Sequence, residues 1–275
     1  VVAELLLTPG PDSRTLPEIP ETYRTESRTF PDAGIYLFRR QEQKAFLAVM
    51  CSPKKIGHGH LDQGSFLYYY RNVPLVMDSG IEGYFDATTQ WHISSLSHAC
   101  MLFAAGSKRR EEETEINLSA GDFSLKRGWS DTPEASELLE YHMGEGKESI
   151  RMRIENPAGK GWQVRTLTLD ERAALRVTDE VFSFEGEILF SLPILAKDVS
   201  LTMKEEGRGG VHVLGTGYYG VDFELTAHRP VRKAWIEYGR VTPMHPGKES
   251  MIPYLRLTAD AKTGFDCLIS GKIRG

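Results

Sequence analysis

The sequence predicts an all-β fold: a large sandwich of two antiparallel β-sheets, preceded by an extended N-terminal connector. Three observations predict it. From residue 34 onward the chain is a succession of short runs rich in aromatic and β-branched residues, and several alternate with period two, as in QVRTLTL (163–169) and VDFELT (221–226). Turn-forming clusters separate the runs, among them NPAGKG (156–161), EEGRGG (205–210) and DAKTG (260–264). No segment beyond residue 34 sustains the apolar spacing of a long amphipathic helix. Many strands without long helices pack as a sandwich or a barrel. At 275 residues, two large stacked sheets fit better than one small barrel.

Taken in order, residues 1–33 read as the end of a helical domain plus a linker, and residues 34–275 as the sandwich. VVAELLL (1–7) has the character of a helix ending, and the first residue is Val1 rather than methionine. Five prolines follow, at 9, 11, 17, 20 and 31. Proline removes backbone donors and favours extended chain, so this stretch reads as a connector draped over a domain surface. GIYLFRR (34–40) and KAFLAVMCS (44–52) flank a polar Gln-Glu-Gln turn and predict a hairpin. SFLYYYR (65–71) and PLVMDSG (74–80), separated by Asn72-Val73, predict a second pair of strands. Further strands are predicted over 98–105, 123–130, 136–143, 149–156, 162–170, 173–182, 187–195, 199–204, 211–215, 221–227, 231–239, 253–259 and 265–273. Only EETEINLSAG (112–121) is read as a short helix.

Hydrophobic residues at 40% and charged residues at 26% provide ample core material. No apolar run approaches the roughly 20 residues that span a bilayer, which excludes a membrane-spanning helix. A net charge of −5 argues against nucleic-acid binding by bulk charge. An acidic ligand would need a local cationic patch or a metal. Cys51, Cys100 and Cys267 are too few and too scattered for a disulfide framework or a thiolate zinc site, and their apolar settings read as buried thiols. The sequence states no compartment.

The chemistry concentrates in GHGHLDQGSFLYYYRNVPLVMDSGIEGYF (57–85), which holds His58, His60, Asp62 and Asp78, with His98 following in SSLSHACM. In extended chain, residues two apart face the same side, so His58 and His60 can enter one site. Gly57 and Gly59 leave them uncrowded. Imidazole suits zinc, copper, iron or nickel, and one carboxylate with a further imidazole completes a His-His-Asp set with an open position. Each fragment also has a plainer reading. The histidines suit a glycine-rich loop, Asp78 suits a turn before Ser-Gly, and His98 suits a strand end bonded to backbone. Tyr84 can contact a sugar or cover the core edge. Lys54, Lys55 and Arg71 flank the cluster as possible attractors of an acidic substrate or as solvated surface charges. One of Tyr68, Tyr69 and Tyr70 must face away from the core, to stack on a sugar or on a neighbouring strand.

The ordered combination is more specific than its parts. His58-Gly59-His60-Leu61-Asp62-Gln63-Gly64-Ser65-Phe66, then Pro74-Leu75, Asp78-Ser79-Gly80 and Tyr84, then Ser94 to His98, resembles the heparinase II/III-like family of polysaccharide lyases. The resemblance implies a supersandwich-like C-terminal β domain that follows an N-terminal α/α toroid in the same parent chain. It implies an acidic, uronic-acid-containing polysaccharide as partner, such as a glycosaminoglycan or alginate, cleaved by β-elimination. By motif position His58 would be the catalytic histidine of the sandwich. His60, Asp78 and His98 would hold a mainly structural zinc ion, and Asp62 would orient an imidazole from behind. Members often carry Asn after the last histidine and Arg ahead of its serines, where this chain has Ala99 and Ile93. The toroid supplies the family's other catalytic groups, so the isolated chain would be inactive. Two other functions suit the same residues: a non-catalytic carbohydrate-binding or scaffold domain with a purely structural metal, and a stand-alone metal-dependent hydrolase.

Overall fold

The structure is a computed structural model that describes residues 25–55, 59–81, 89–104, 116–117, 122–123, 129–144, 146–157, 159–203, 209–242 and 250–275. The fold is the predicted antiparallel sandwich. Strands β1 (Arg28–Phe30), β2 (Ile35–Arg40), β3 (Ala45–Met50), β4 (Phe66–Tyr70) and β5 (Val73–Val76) form a five-stranded meander in sequence order. β1 belongs to the stretch read as connector, and it pairs with β2 from Arg28 opposite Leu37 to Phe30 opposite Ile35. A second sheet has the order β17 (Lys233–Val241), β18 (Ser250–Asp260), β13 (Glu187–Pro193), β6 (Met101–Phe103). The two sheets join where β5 meets the end of β13. Met77 N donates to the Pro193 carbonyl (3.2 Å), and Leu195 N donates to the Leu75 carbonyl (3.1 Å).

The opposite layer is a single eight-stranded sheet. Its order is β14 (Asp198–Met203), β15 (Val211–Thr216), β16 (Val221–Ala227), β19 (Phe265–Ile273), β12 (Leu175–Phe182), β11 (Trp162–Asp170), β10 (Lys147–Glu155), β9 (Glu137–His142). Alternation sets which face is buried. On β10, Ile150, Met152 and Ile154 point inward, while Arg151 and Arg153 are only partly covered on the other face. These residues meet Phe38, Leu47 and Tyr68 of the first layer in one continuous core. The Tyr68 hydroxyl crosses between layers and donates to the Ala173 carbonyl (2.5 Å). Tyr69 packs edge-on against Phe46 of the neighbouring strand (5.9 Å between rings), which settles which of the three tyrosines turns from the core. All three cysteines are free and buried.

Two local expectations are corrected. The turn between β4 and β5 is Arg71-Asn72, one residue earlier than read, with φ of 54° and 60°. A tight hairpin needs positive φ at both central positions, which asparagine tolerates and β-branched Val73 does not. Val73 therefore joins the strand. Within EETEINLSAG, read as a short helix, Ile116–Asn117 forms β7 and pairs with β8 (Asp122–Phe123), a partner strand overriding local preference.

One short helix, α1 (Thr89–Ile93), and the 3-10 turn Ser95–Ser97 lie across the outer face of the four-stranded sheet. Trp91 meets Tyr254 edge-on (5.3 Å between rings) and donates from Nε1 to the Arg240 carbonyl (2.9 Å). A Cβ at Gly239 would stand 2.4 Å from the Trp91 ring, so only glycine lets the helix approach this closely. With Val241 and Ile252, these residues make a second small core. Strand β18 is thereby buried on both faces, and the segment leading to His98 is held on a rigid floor.

Candidate metal centre

Three segments converge at the edge where the two sheets of the first layer meet. The first is the turn after β3, residues 59–65, which carries His60 and Asp62. Ser65 N donates to the Asp62 carbonyl (2.9 Å), and Gly64 takes φ +79°, closing the turn into β4. The Gln63 side chain is buried here: its Oε1 accepts from Ser52 N (2.9 Å) and from the Ser136 hydroxyl (2.7 Å). The second segment follows β5. Asp78 Oδ1 accepts from Gly80 N (2.7 Å) in an Asx-type turn that leaves Oδ2 for other partners. The third is α1 with its 3-10 extension, ending at His98.

Serines bind the first segment to the third. Ser94 caps the 3-10 turn by accepting from Leu96 N, and its hydroxyl donates to Asp131 Oδ1 (2.9 Å). Ser95 N donates to the same oxygen (2.8 Å). The Ser95 hydroxyl donates to the Leu61 carbonyl, while Leu61 N donates to the Ile93 carbonyl (2.9 Å). Leu61 is thus held from both sides, and its neighbour His60 is brought against His98.

His98 is completely buried and is the hub. Its Nδ1 donates to Asp78 Oδ2 (2.9 Å). Its Nε2 donates to the His92 carbonyl (2.9 Å) and faces His60 Nδ1 at 3.3 Å. One donor atom each from His60, Asp78 and His98 lies within 4.8 Å of the others. Burial disfavours the His98 imidazolium, but the charge and hydrogen bond of Asp78 outweigh it and lift its pKa to about 9. Burial would raise Asp78, yet His98 and the Gly80 amide hold its carboxyl well below the usual range. His60 is pushed down to about 4 by burial and by the neighbouring His98 charge, and so is neutral at ordinary pH.

Two imidazoles and one carboxylate within this reach are a donor set that fits a divalent ion of the zinc type, for which N and O ligands stand about 2.0–2.2 Å from the metal. The His92 carbonyl on Nε2 is the outer partner that metal-bound histidines commonly have, and it leaves Nδ1 toward Asp78. Asp62 stands apart. Burial lifts its carboxyl to about 6 against the pull of His98, and it couples to the centre through charge rather than a hydrogen bond to either ring. His58 and Tyr84 lie outside the described residues. Of the flanking cations, Lys55 pairs with Glu134, and Lys54 and Arg71 are exposed.

Several residues around the centre were not singled out in the sequence. The His92 ring is fully buried, and burial with the His98 charge lowers its pKa against the opposing pull of Asp78 and the Ser79 backbone. Asp131, Gln63 and Ser95 tie the segments together across 34 to 73 positions, which no local pattern announces. Arg165 was the legible one. It shares inward parity with Leu167 and Leu169 in QVRTLTL, which marks it as a buried arginine in need of partners. Position 99, noted for its alanine, is a core site with Ala99 only 1% exposed.

Comparison with known proteins agrees with this picture. Residues 22–211 match the family described as heparinase II/III-like, C-terminal. No curated protein matches the sequence. Among solved structures, the chain resembles a heparinase III, the BT4657 gene product, with a TM-score of 0.68 and 14% identity over 94% of this chain and 37% of the other. It resembles the heparan sulfate lyase HepC from Pedobacter heparinus with a TM-score of 0.66 and 14% identity over 90% of this chain and 36% of that one. A further heparinase III structure gives 0.65 and 15% identity, covering 92% and 37%. At these identities the likeness is one of fold, and the chain spans little more than a third of each solved protein. With a family match across 22–211 and the same fold in these solved structures, the chain belongs to the heparinase II/III-like family, as its C-terminal β-sandwich domain.

Proposed function

We propose that this chain is the sandwich domain of a polysaccharide lyase that cleaves a uronic-acid-containing polymer by β-elimination, together with an α/α toroid in the same parent chain. The observation that carries the reading is the convergence of His60, Asp78 and His98 within 4.8 Å, inside the stretch that matches the family. His60, Asp78 and His98 hold zinc in this reading, and the burial of His98 favours a bracing role for the ion. Zinc supplies a fixed charge that locks two imidazoles and one acid in place.

The reaction removes the proton on C5 of a uronate, which is weakly acidic and lies next to the carboxylate. The C4–O4 bond breaks as the C4=C5 double bond forms, and the leaving O4 takes a proton. A base and an acid must flank the ring, and charge growing on the carboxylate must be stabilised. His58, two residues from the braced His60, is the group this domain contributes to that site. The remaining acid-base groups come from the toroid.

The test has two parts. Metal analysis of the purified chain is expected to find one zinc per chain. The full-length parent is expected to release unsaturated product from uronate polymers, read by ultraviolet absorbance, and His58→Ala is expected to remove that activity by a factor of at least about 100, in the range of a lost general acid or base. Undiminished turnover in a folded His58→Ala protein would take His58 out of the mechanism.

A further inference from the structure

Arg165 stands on β11 of the eight-stranded sheet, in the layer opposite the metal centre, with no exposed surface. Its Nε and Nη2 donate to the two carboxylate oxygens of Asp179 on β12 (2.7 and 2.8 Å), and Asp179 is also fully buried. This fork fixes the plane of the guanidinium and therefore the direction of its remaining nitrogen. Nη1 reaches across the core and donates to two carbonyls of the other layer, Gly64 at 2.8 Å and Ala99 at 2.6 Å. Gly64 ends the turn that carries His60. Ala99 directly follows His98. One side chain thus holds the backbones of both histidine-bearing segments at a set distance.

A second buried arginine secures the same segment from its other side. Arg256 on β18 donates from Nη1 to the Leu96 carbonyl (2.7 Å), and its Nε pairs with Glu237 (3.1 Å). The carbonyls at 96 and 99, on either side of His98, are therefore each bonded to a guanidinium. A buried ion pair adds little net stability over an apolar pair of similar size. What Arg165 and Asp179 supply instead is direction: two donors aimed at two loops that no strand pairing joins.

We propose that Arg165, aimed by Asp179, is a positioning residue of the metal centre. It sets the spacing between the His60 turn and the His98 segment at which both histidines and Asp78 share one ion. The inference rests on the metal reading of this site. The test is the pair Arg165→Met with Asp179→Leu, which removes both charges and keeps the core filled, with Arg165→Lys as a second variant that keeps a charge opposite Asp179 and gives up the fork. Three quantities are measured in the parent and in both variants: the thermal midpoint, the zinc Kd by chelator competition, and the visible absorption of the Co2+ form.

The double variant is expected to stay folded but melt below the parent, because the Gly64 and Ala99 carbonyls lose their donor, to bind zinc at least tenfold more weakly, and to show a weakened and shifted Co2+ band. Arg165→Lys is expected to lose affinity as well. Parent-like Kd and Co2+ spectrum in either folded variant would overturn the proposal. A parent chain that takes up neither zinc nor Co2+ would instead overturn the metal reading beneath it, so the two failures are told apart.

Discussion

At the scale of single residues, His98 answers to two chemistries at once. Without a metal it is an imidazolium held by Asp78, and with one it must be a neutral ligand. Its pKa lies above the ordinary 6.5, so the stability it contributes is complete below that value and is lost as pH rises through about 9. Asp78 is depressed, so its contribution is present above the ordinary 3.8 and fades as pH falls below it. The pair therefore braces the metal-free fold best between about pH 4 and 6.5. Near neutrality His60 and Asp78 are already in their ligand forms, and only His98 must give up a proton. Zinc affinity is accordingly expected to rise about tenfold per pH unit from about pH 7 to about 9 and then level off, with about one proton released per ion. Calorimetry in buffers of different ionisation enthalpy reads that proton directly, and a pH-independent Kd would contradict the assignment. The meeting of His60, Asp78 and His98 was legible only through the ordered motif that resembles the family. Their outer partners were not: the His92 carbonyl and the Arg165 guanidinium become neighbours only through the tertiary fold.

At the scale of elements, the strands were the most legible part because a half-buried sheet imposes period-two alternation on its residues. QVRTLTL became β11 with Gln163, Arg165, Leu167 and Leu169 all inward. The stretch 89–98 was harder. Its serines carry no apolar periodicity, and its helical turns are set by Ser94 and by Asp131, a cap from 36 residues away. Turn glycines bear on the site itself. Gly64 has φ +79°, and a Cβ there would stand 2.4 Å from Ile154 Cδ1. Gly64→Ala is expected to cost about 1–3 kcal/mol from backbone conformation, with the clash added. The same change moves the carbonyl that Arg165 holds, so zinc affinity should fall along with the melting temperature. A variant that melts lower while keeping parent affinity would show that the turn and the centre are independent.

At the scale of the whole molecule, the sandwich brings together two layers and a small capping core, and the centre sits where three separate segments meet over one layer. A ligand that binds only the folded state stabilises it by mass action. Zinc at about 100 times its Kd should add about 2.7 kcal/mol, seen as a higher thermal midpoint that a chelator reverses. A midpoint indifferent to both additions would speak against an ion at this site. Fold class and family were legible here because alternation and an ordered motif survive in one sequence, whereas β7, the turn register at Arg71-Asn72 and the cross-layer bonds depend on pairings that the sequence does not display locally.

Both braces of the centre also follow His60, Asp78 and His98 in the chain. Arg165 reaches the Ala99 carbonyl over 66 positions, and Arg256 reaches the Leu96 carbonyl over 160. During synthesis the three donors leave the ribosome long before either arginine does. The meeting of His60, Asp78 and His98 is then among the last features to mature, and an ion held there, as proposed, would mark a completed closure of the two layers rather than a nucleus from which they grow.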